Sequence, residues 1–171
     1  MSTTDDLPVV RPARADDAED LARCQLSCWR EAYTGLVEPG RLAGLVADVD
    51  EAVQRWQGIL AEFPEQLVAD HHGEVVGFAG AGPGRDPDVD LARQLHGLYV
   101  RQVWWGRGLG HRLLQAALGD EDAYLWVFRD NPRARRCYAR HGFVPDGAES
   151  VDERFGGVEI QMVRRRGDDA S

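Results

Sequence analysis

Residues 98–114 read Leu-Tyr-Val-Arg-Gln-Val-Trp-Trp-Gly-Arg-Gly-Leu-Gly-His-Arg-Leu-Leu, and this stretch decides the fold. It opens with apolar, β-branched and aromatic residues, as at the end of a buried strand. It ends in leucines that recur at three- and four-residue spacing as far as Leu118, which predicts the apolar face of a helix. Gly106, Gly108 and Gly110 lie between the two patterns. The stretch therefore predicts a strand, a glycine-rich turn and a helix in succession.

The glycine-rich turn has the features of an anion site. The first N–H groups of a helix have no internal acceptor, and the helix dipole adds partial positive charge there. Arg107, His111 and Arg112 add cationic or hydrogen-bonding side chains at the same end. The glycines alone would serve a simple tight turn equally well. The turn lacks the Gly-Lys-Ser/Thr ending of a triphosphatase loop and the acidic residue about 20 positions on that a dinucleotide fold needs.

The length and composition predict one globular domain with a substantial core. The chain has 171 residues, of which 43% are hydrophobic and 29% charged. We expect a single domain over residues 6–166 and a polar tail over residues 167–171. The polar, acidic start and the lack of a long apolar run argue against export and membrane insertion. Cys24, Cys28 and Cys137 form no paired ligand motif, which favours a reduced, cytoplasmic protein.

The net charge and the histidines limit the partners. A charge of −9 argues against a nucleic-acid partner and fits a cationic substrate, although solubility alone would also explain it. The adjacent His71 and His72 lie at the tip of a predicted hairpin, where consecutive side chains should point in opposite directions. We therefore expect a solvated turn there and no metal site in the protein.

The remaining elements follow from periodicity, caps and turn residues. We expect a first strand at Val9–Arg11 and a long helix that Asp16 caps and Gly35 ends. Further predicted elements are a short helix from Pro39, a helix over 50–63, a hairpin over 67–79, a loop over 81–90, a strand over 124–128, a helix from Asn131 to Gly142 and strands at 143–144 and 158–163.

Two segments resemble motifs of the GNAT N-acetyltransferase superfamily. Residues 106–110 resemble its acyl-CoA pyrophosphate loop, Gln/Arg-x-x-Gly-x-Gly/Ala, and Gly108 and Gly110 match the fixed positions. Trp105 replaces the Gln/Arg, which should matter little because the contacts there are mainly from the backbone. Residues 131–143 resemble the second motif, Asn-x-x-Ala-x-x-x-Tyr-x-x-x-Gly-Phe, at every fixed position. The order of strands and helices fits the family from about Val9 to Val163.

The resemblance implies an α/β (α+β) fold with a mixed central sheet, flanked by helices and splayed at the acyl-CoA site. The pantetheine arm of acetyl-CoA would lie between the strands of residues 98–100 and 125–127 and pair with free backbone groups of the first. The pyrophosphate would bind the N–H groups of residues 106–111, and Asn131 would hold the pantetheine besides capping its helix. The implied coenzyme-binding residues are Leu98, Tyr99, Val100, Gly106, Arg107, Gly108, Leu109, Gly110, His111 and Asn131.

The implied mechanism is direct attack of an amine on the acetyl thioester. The amine must lose a proton, the oxyanion needs a donor and the thiolate needs a proton. A backbone N–H near Val100 would serve the oxyanion, and Tyr138 matches the family's thiolate partner. The base stays open, because Trp126 stands where several family members have Glu. His96 has a suitable pKa, although a purely structural role fits it equally. Glu31 and Asp90 are further candidates.

The acceptor is the least defined part of the prediction. We expect Trp29, Glu31, Tyr33 and Trp126 to bind it, with core packing as the alternative role for Trp29 and Tyr33. Residues 29–36 are similar to bacterial members, some of which acetylate polyamines, so a small primary amine is the expected acceptor. A protein N-terminus or lysine is the alternative substrate, and a catalytically silent acyl-CoA-binding regulatory domain is the alternative function. Homodimers are common in the family and are therefore expected.

Overall fold

The computed structural model describes residues 6–167, so the expected tail lies outside the described residues except for Gly167. Its α-helices are α1 (Ala18–Tyr33), α2 (Pro39–Leu45), α3 (Val49–Glu62), α4 (Leu109–Leu118) and α5 (Pro132–Arg140). Its strands are β1 (Val9–Pro12), β2 (Gln66–His71), β3 (Glu74–Pro83), β4 (Arg93–Val100), β5 (Ala123–Phe128), β6 (Val144–Val151) and β7 (Val158–Arg164). Short 3₁₀ turns occupy Ala15–Asp17 and Gln102–Trp104.

The described strands form one mixed sheet in the order β1-β2-β3-β4-β5-β7-β6. The pairs are antiparallel except for β4 and β5, which run parallel. The register of these two strands contains a single pair among the described residues, Gln94 with Tyr124. Beyond that pair β4 continues alongside β3, and β5 pairs with β7 over its whole length. The predicted mixed sheet, splayed between β4 and β5, is confirmed.

The free edge of β4 faces the gap between the two strands. The N–H of Arg101 donates to Val76 on the β3 side at 2.9 Å. Backbone groups of successive strand residues point to alternate sides, so those of Leu98 and Val100 face the gap. The pairing of β3 with β4 shifts between Gly80 and Ala81, which leaves His96 as the extra residue of a bulge. The bulge bends β4 where it leaves β5.

Helices cover both faces of the sheet and bury separate parts of the core. On one face Leu114 and Leu118 of α4 and Tyr138 of α5 pack against β5 and β7. On the other face Trp29 of α1 and Trp56 of α3 pack against β3. The gap between β4 and β5 therefore connects two helical layers. No helix within residues 6–167 is both long and apolar enough to span a membrane.

The predicted elements differ from the observed ones at three places. Strand β3 continues through Pro83, so the first three residues of the loop predicted over residues 81–90 belong to the sheet. Asp16 does not cap α1, because the 3₁₀ turn precedes the helix and Asp16 is exposed. The neighbouring Asp17 is buried instead and accepts two hydrogen bonds of 2.8 Å from Arg11. The strand predicted at residues 143–144 extends through Val151 as β6, an edge strand whose residues are all exposed. Such a strand has no buried face and therefore no apolar alternation to reveal it.

Candidate functional site

A cavity of about 1120 Å³ passes through the gap between β4 and β5 and reaches both helical layers. We name its two halves after the roles that the sequence predicts. The coenzyme half is lined by the glycine-rich turn, α4 and α5, and the acceptor half by α1, α3 and the loop between β6 and β7. Most residues that the sequence singled out line this cavity: Trp29, Tyr33, His96, Leu98, Tyr99, Val100, Gly106, Gly108, Leu109, Gly110, His111, Trp126, Asn131 and Tyr138. Arg107 and Glu31 are not part of its lining, as far as residues 6–167 show.

The glycine-rich turn has the geometry of an anion site. Gly106 and Gly108 have φ of 73° and 81°, in the left-handed region that side chains other than glycine rarely adopt. Gly108 precedes the first residue of α4, and no side chain caps the helix there. The N–H groups of the first turn, from Leu109 to His111, thus meet the cavity without an internal acceptor. They can bind a phosphate group.

The cations around the turn differ from those expected. Arg107 lies over the ring of Trp104 at 5.2 Å and lines a separate cavity of about 360 Å³. Arg112 donates to the carbonyl of Pro8 at 2.8 Å. Arg133 of α5 lines the main cavity instead and lies over the ring of Trp105 at 3.5 Å. Burial lowers the pKa of Arg133.

Trp105, the departure from the family pattern, has a contact of its own. Its indole Nε1 donates to the carbonyl of Val100 at 2.8 Å. Val100 turns both its carbonyl and its N–H to the gap. The carbonyl already accepts the hydrogen bond from Trp105, so the N–H is the group left for a bound chain. Leu98 keeps both groups for a bound chain.

Asn131 and Tyr138 belong to the same helix and reach the cavity from α5. The Asn131 side chain accepts a hydrogen bond from the N–H of Ala134 at 3.2 Å, so its capping role is observed. Tyr138 packs edge-on against Phe143, and its hydroxyl makes no hydrogen bond to any described residue. Burial raises the pKa of Tyr138 and keeps the phenol protonated. This hydroxyl can donate a proton into the cavity.

The acceptor half is walled by aromatic rings. The hydroxyls of Tyr33 and Tyr99 form a hydrogen bond of 2.8 Å. The ring of Tyr33 contacts Phe128 and Phe155 at centroid distances of 5.1 and 4.9 Å. Burial raises the pKa of Tyr33, so the pair is neutral. Both predicted roles of Tyr33, packing and cavity lining, occur together.

Trp29 and Trp126 complete these walls with different polar contacts. The guanidinium groups of Arg55 and Arg154 lie 5.7 and 5.8 Å from the ring centroid of Trp29. Trp126 donates through Nε1 to Asp86 at 3.2 Å. The acceptor half thus has guanidinium groups near Trp29, and the ring of Trp126 is held by the carboxylate of Asp86.

Two of the carboxylates that the sequence suggested as the general base are bound to other side chains. Glu31 accepts hydrogen bonds from Arg101 at 2.6 Å and from the N–H of Gln102 at 2.5 Å, which tie α1 to the end of β4. Asp90 is exposed and paired with Arg165. Sequence spacing could not show that these carboxylates have structural partners. The expectation that Glu31 binds the acceptor is thus not supported by its position.

His96 does line the cavity. Its Nε2 lies 3.1 Å from the carbonyl of Pro83, which can only accept, so this nitrogen carries the N–H. Burial lowers its pKa. The other ring nitrogen remains as an acceptor.

Glu159 is a cavity residue that the sequence analysis missed. It lies on β7 directly across from Phe128 of β5 and is half-buried. Burial, followed by the negative charges of Asp152 and Asp86, raises its pKa to about 7. A charged residue inside the apolar run of residues 158–163 was the available signal.

The prediction that His71 and His72 point apart is wrong. His72 has φ of 53°, and the two rings lie 4.3 Å apart. Their Nε2 atoms are 3.0 and 3.3 Å from Oδ1 of Asp6. The left-handed residue breaks the strand alternation on which the prediction relied. These three side chains bring potential metal-ligand atoms within 4.8 Å of one another.

Comparison with known proteins agrees with this geometry. The acetyltransferase (GNAT) family matches residues 18–143. A probable N-acetyltransferase of Mycobacterium tuberculosis is 27% identical over 172 residues, covering 92% of this chain and 91% of its own. The N-alpha-acetyltransferase RimI of the same organism is 31% identical over 123 residues, 65% of this chain and 77% of its own.

Solved structures show the same fold. The PaiA N-acetyltransferase of Thermoplasma acidophilum, solved in complex with coenzyme A, has a TM-score of 0.65 and 15% identity over 92% of this chain and 98% of its own. The family match covers well over half of the described chain. The protein therefore belongs to the acetyltransferase (GNAT) family and is an acetyl-CoA-dependent N-acetyltransferase.

Proposed function

We propose that the protein transfers the acetyl group of acetyl-CoA to a primary amine of a small molecule by direct attack in a ternary complex. The observation that carries this proposal is the set of aromatic walls around the acceptor half. Trp29 of α1, Trp56 of α3 and Phe155 of the loop between β6 and β7 wall it from three elements. Such walls favour a compact acceptor over an extended peptide.

The coenzyme would lie with its pantetheine arm in the gap between β4 and β5. Leu98 and the N–H of Val100 would bind its amides, and the first turn of α4 would bind the pyrophosphate. Asn131 has a side-chain NH₂ group left for the arm, because its oxygen caps α5. Arg133 lies beside the gap and can compensate phosphate charge.

The chemistry needs no nucleophile from the protein. The amine lone pair attacks the carbonyl carbon, and the oxyanion accepts a hydrogen bond from a backbone N–H near Val100. The carbon–sulfur bond then breaks, and the Tyr138 hydroxyl donates its proton to the leaving sulfur. The resulting phenolate takes up the extra proton from the nitrogen of the new amide, which restores Tyr138. The phenol is suited to this step because its burial keeps it protonated.

A protein N-terminus is the second candidate acceptor. The relative RimI is named as an N-alpha-acetyltransferase, and its similarity covers about two thirds of this chain. Arg55 and Arg154 beside Trp29 also suit an acceptor that carries a carboxylate as well as an amine. An acceptor assay separates these substrate classes.

We expect thiol release from acetyl-CoA to rise with the concentration of a small amine. The assay compares spermidine, kanamycin, free amino acids, an alanine-leading peptide and a lysine peptide. At least one small amine should give a higher kcat/KM than both peptides, because the walls of the acceptor half restrict a long chain. Faster turnover of a peptide would contradict the small-molecule assignment. A silent acyl-CoA-binding domain would release no thiol with any acceptor.

Tyr138→Phe should lower kcat about 100-fold, since a positioned general acid contributes about 10²–10⁴-fold. The affinity for acetyl-CoA, measured by calorimetry, should stay within about twofold because the ring and its packing are retained. The melting temperature of the variant checks its fold, because Tyr138 is buried. An unchanged kcat in Tyr138→Phe would remove Tyr138 from the mechanism.

Gly108→Ala should weaken acetyl-CoA binding by about tenfold or more, which corresponds to about 1.4 kcal/mol. The added Cβ strains a backbone with φ of 81° at the phosphate site. Gly147→Ala is the control, because Gly147 has φ of 92°, open space around it and no place in the cavity. Both variants should lose similar thermal stability. Equal acetyl-CoA affinities in the two variants would contradict the pyrophosphate assignment.

A further inference from the structure

Asp152, Glu153 and Glu159 line the acceptor half, and Asp86 is bonded to Trp126 of its wall. Asp86 accepts hydrogen bonds from the Tyr124 hydroxyl at 2.8 Å and from Trp126 at 3.2 Å. Asp152 accepts one from the N–H of Phe155 at 2.9 Å. Glu159 forms no hydrogen bond or ion pair with any residue in the described range. Glu153 is exposed, whereas Glu159 is half-buried on the sheet, so Glu159 is the carboxylate best placed to meet a ligand in the cavity.

The strand register places Glu159 on the acceptor face of the sheet. Its neighbours in sequence, Val158 and Ile160, alternate with it, and Ile160 belongs to the core beneath α4 and α5. Glu159 therefore projects to the opposite face, together with its cross-strand partner Phe128. The ring of Phe128 contacts Tyr33, whose hydroxyl bonds to that of Tyr99 on β4. A carboxylate and a tyrosine pair thus face the same space beside the gap.

We propose that Glu159 binds the acceptor amine as its ammonium form and removes the proton that must leave before attack. This inference rests on the proposed function, because it assigns the base of that reaction. One N–H bond of the ammonium breaks and its proton passes to a carboxylate oxygen of Glu159. The freed lone pair then forms the bond to the acetyl carbon, and Glu159 returns its proton to solvent after product release.

The surroundings suit Glu159 to this task. An alkyl ammonium has a pKa of about 10.4, and an ordinary glutamate one of about 4.3, so proton transfer between them is steeply uphill. The raised pKa of Glu159, about 7, removes nearly half of that difference. The titratable groups that face it are the carboxylates of Asp152 and Asp86 and the phenols of Tyr33 and Tyr99. The two carboxylates also attract the incoming cation.

His96 is the competing base within the cavity. Its burial lowers its pKa, and one of its nitrogens is held by Pro83. It lies on the bulge of β4, whereas Glu159 lies on the far strand β7. A test must therefore separate the two residues by their own substitutions.

The experiment measures kcat/KM against pH from 5 to 9 for the wild type, Glu159→Gln, Glu159→Asp and His96→Gln. The acceptor is whichever of spermidine, kanamycin, free amino acids or the two peptides the wild type acetylates fastest. The wild-type rate should rise through about pH 7 as Glu159 loses its proton. Glu159→Gln should lose this rising limb of the pH profile. Its rate at pH 8 should also fall about 100-fold, which is the scale of general base catalysis. Glu159→Asp should keep the limb with a reduced rate.

Glu149→Gln is the matched control, because Glu149 is an exposed carboxylate on β6 outside the cavity lining. It should keep both the rate and the profile. Folding is checked by melting temperature. Burial opposes the charged form of Glu159, so the wild type loses stability as the pH rises from the ordinary glutamate range through about 7. Glu159→Gln should therefore be at least as stable as the wild type at pH 8.

An unchanged profile in Glu159→Gln, or loss of the limb in His96→Gln alone, would overturn the assignment of the base to Glu159. Either result would leave the proposed function intact, because the wild type would still transfer acetyl groups to an amine. Absence of amine-dependent thiol release in the wild type would instead contradict the proposed function. The two failures are thus distinguishable.

Discussion

The separation of β4 from β5 after a single backbone pair is the constraint on which the site depends. Strand edges that face each other normally pair, because unpaired N–H and C=O groups away from water are costly. Here β4 is held by β3 and β5 by β7, so each strand keeps one complete edge. The bulge at His96 bends β4 away as well. The gap is therefore maintained by its neighbours, and the amides of a pantetheine chain can complete the unpaired edge.

The rest of the site is arranged around that gap. The glycine turn carries the chain from the free edge of β4 into α4, and its left-handed residues direct the first N–H groups of the helix to the end of the gap. Helix α5 begins at Asn131 and brings Tyr138 to the same opening. On the other side of the sheet, α1 and the loop before β7 supply aromatic walls around the acceptor. In the proposed reaction, coenzyme and acceptor meet through this gap.

Much of the coenzyme half could be predicted from residues that are neighbours in the sequence. Glycines with positive φ, an Asn-Pro helix start and a leucine stripe are signals carried by neighbouring residues, and the structure has the turn and both helices there. The acceptor half could not be predicted in this way because it is built from distant segments. Glu31 is bound by Arg101, seventy positions along the chain, and Glu159 reaches the cavity only through the pairing of β7 with β5. The expectation that successive strand side chains point to opposite sides also failed at His72. Its positive φ brings its ring beside that of His71.

Amide hydrogen exchange with and without coenzyme A measures whether the coenzyme occupies the gap between β4 and β5. We expect slower exchange on binding at Leu98 and Val100, which face the gap, and at residues 109–111 in the first turn of α4. The amides of Tyr99 and Arg101 should change little, because they face β3 and Arg101 is already bonded to Val76. Binding of coenzyme A without protection at the gap, or with protection confined to other strands, would contradict the account.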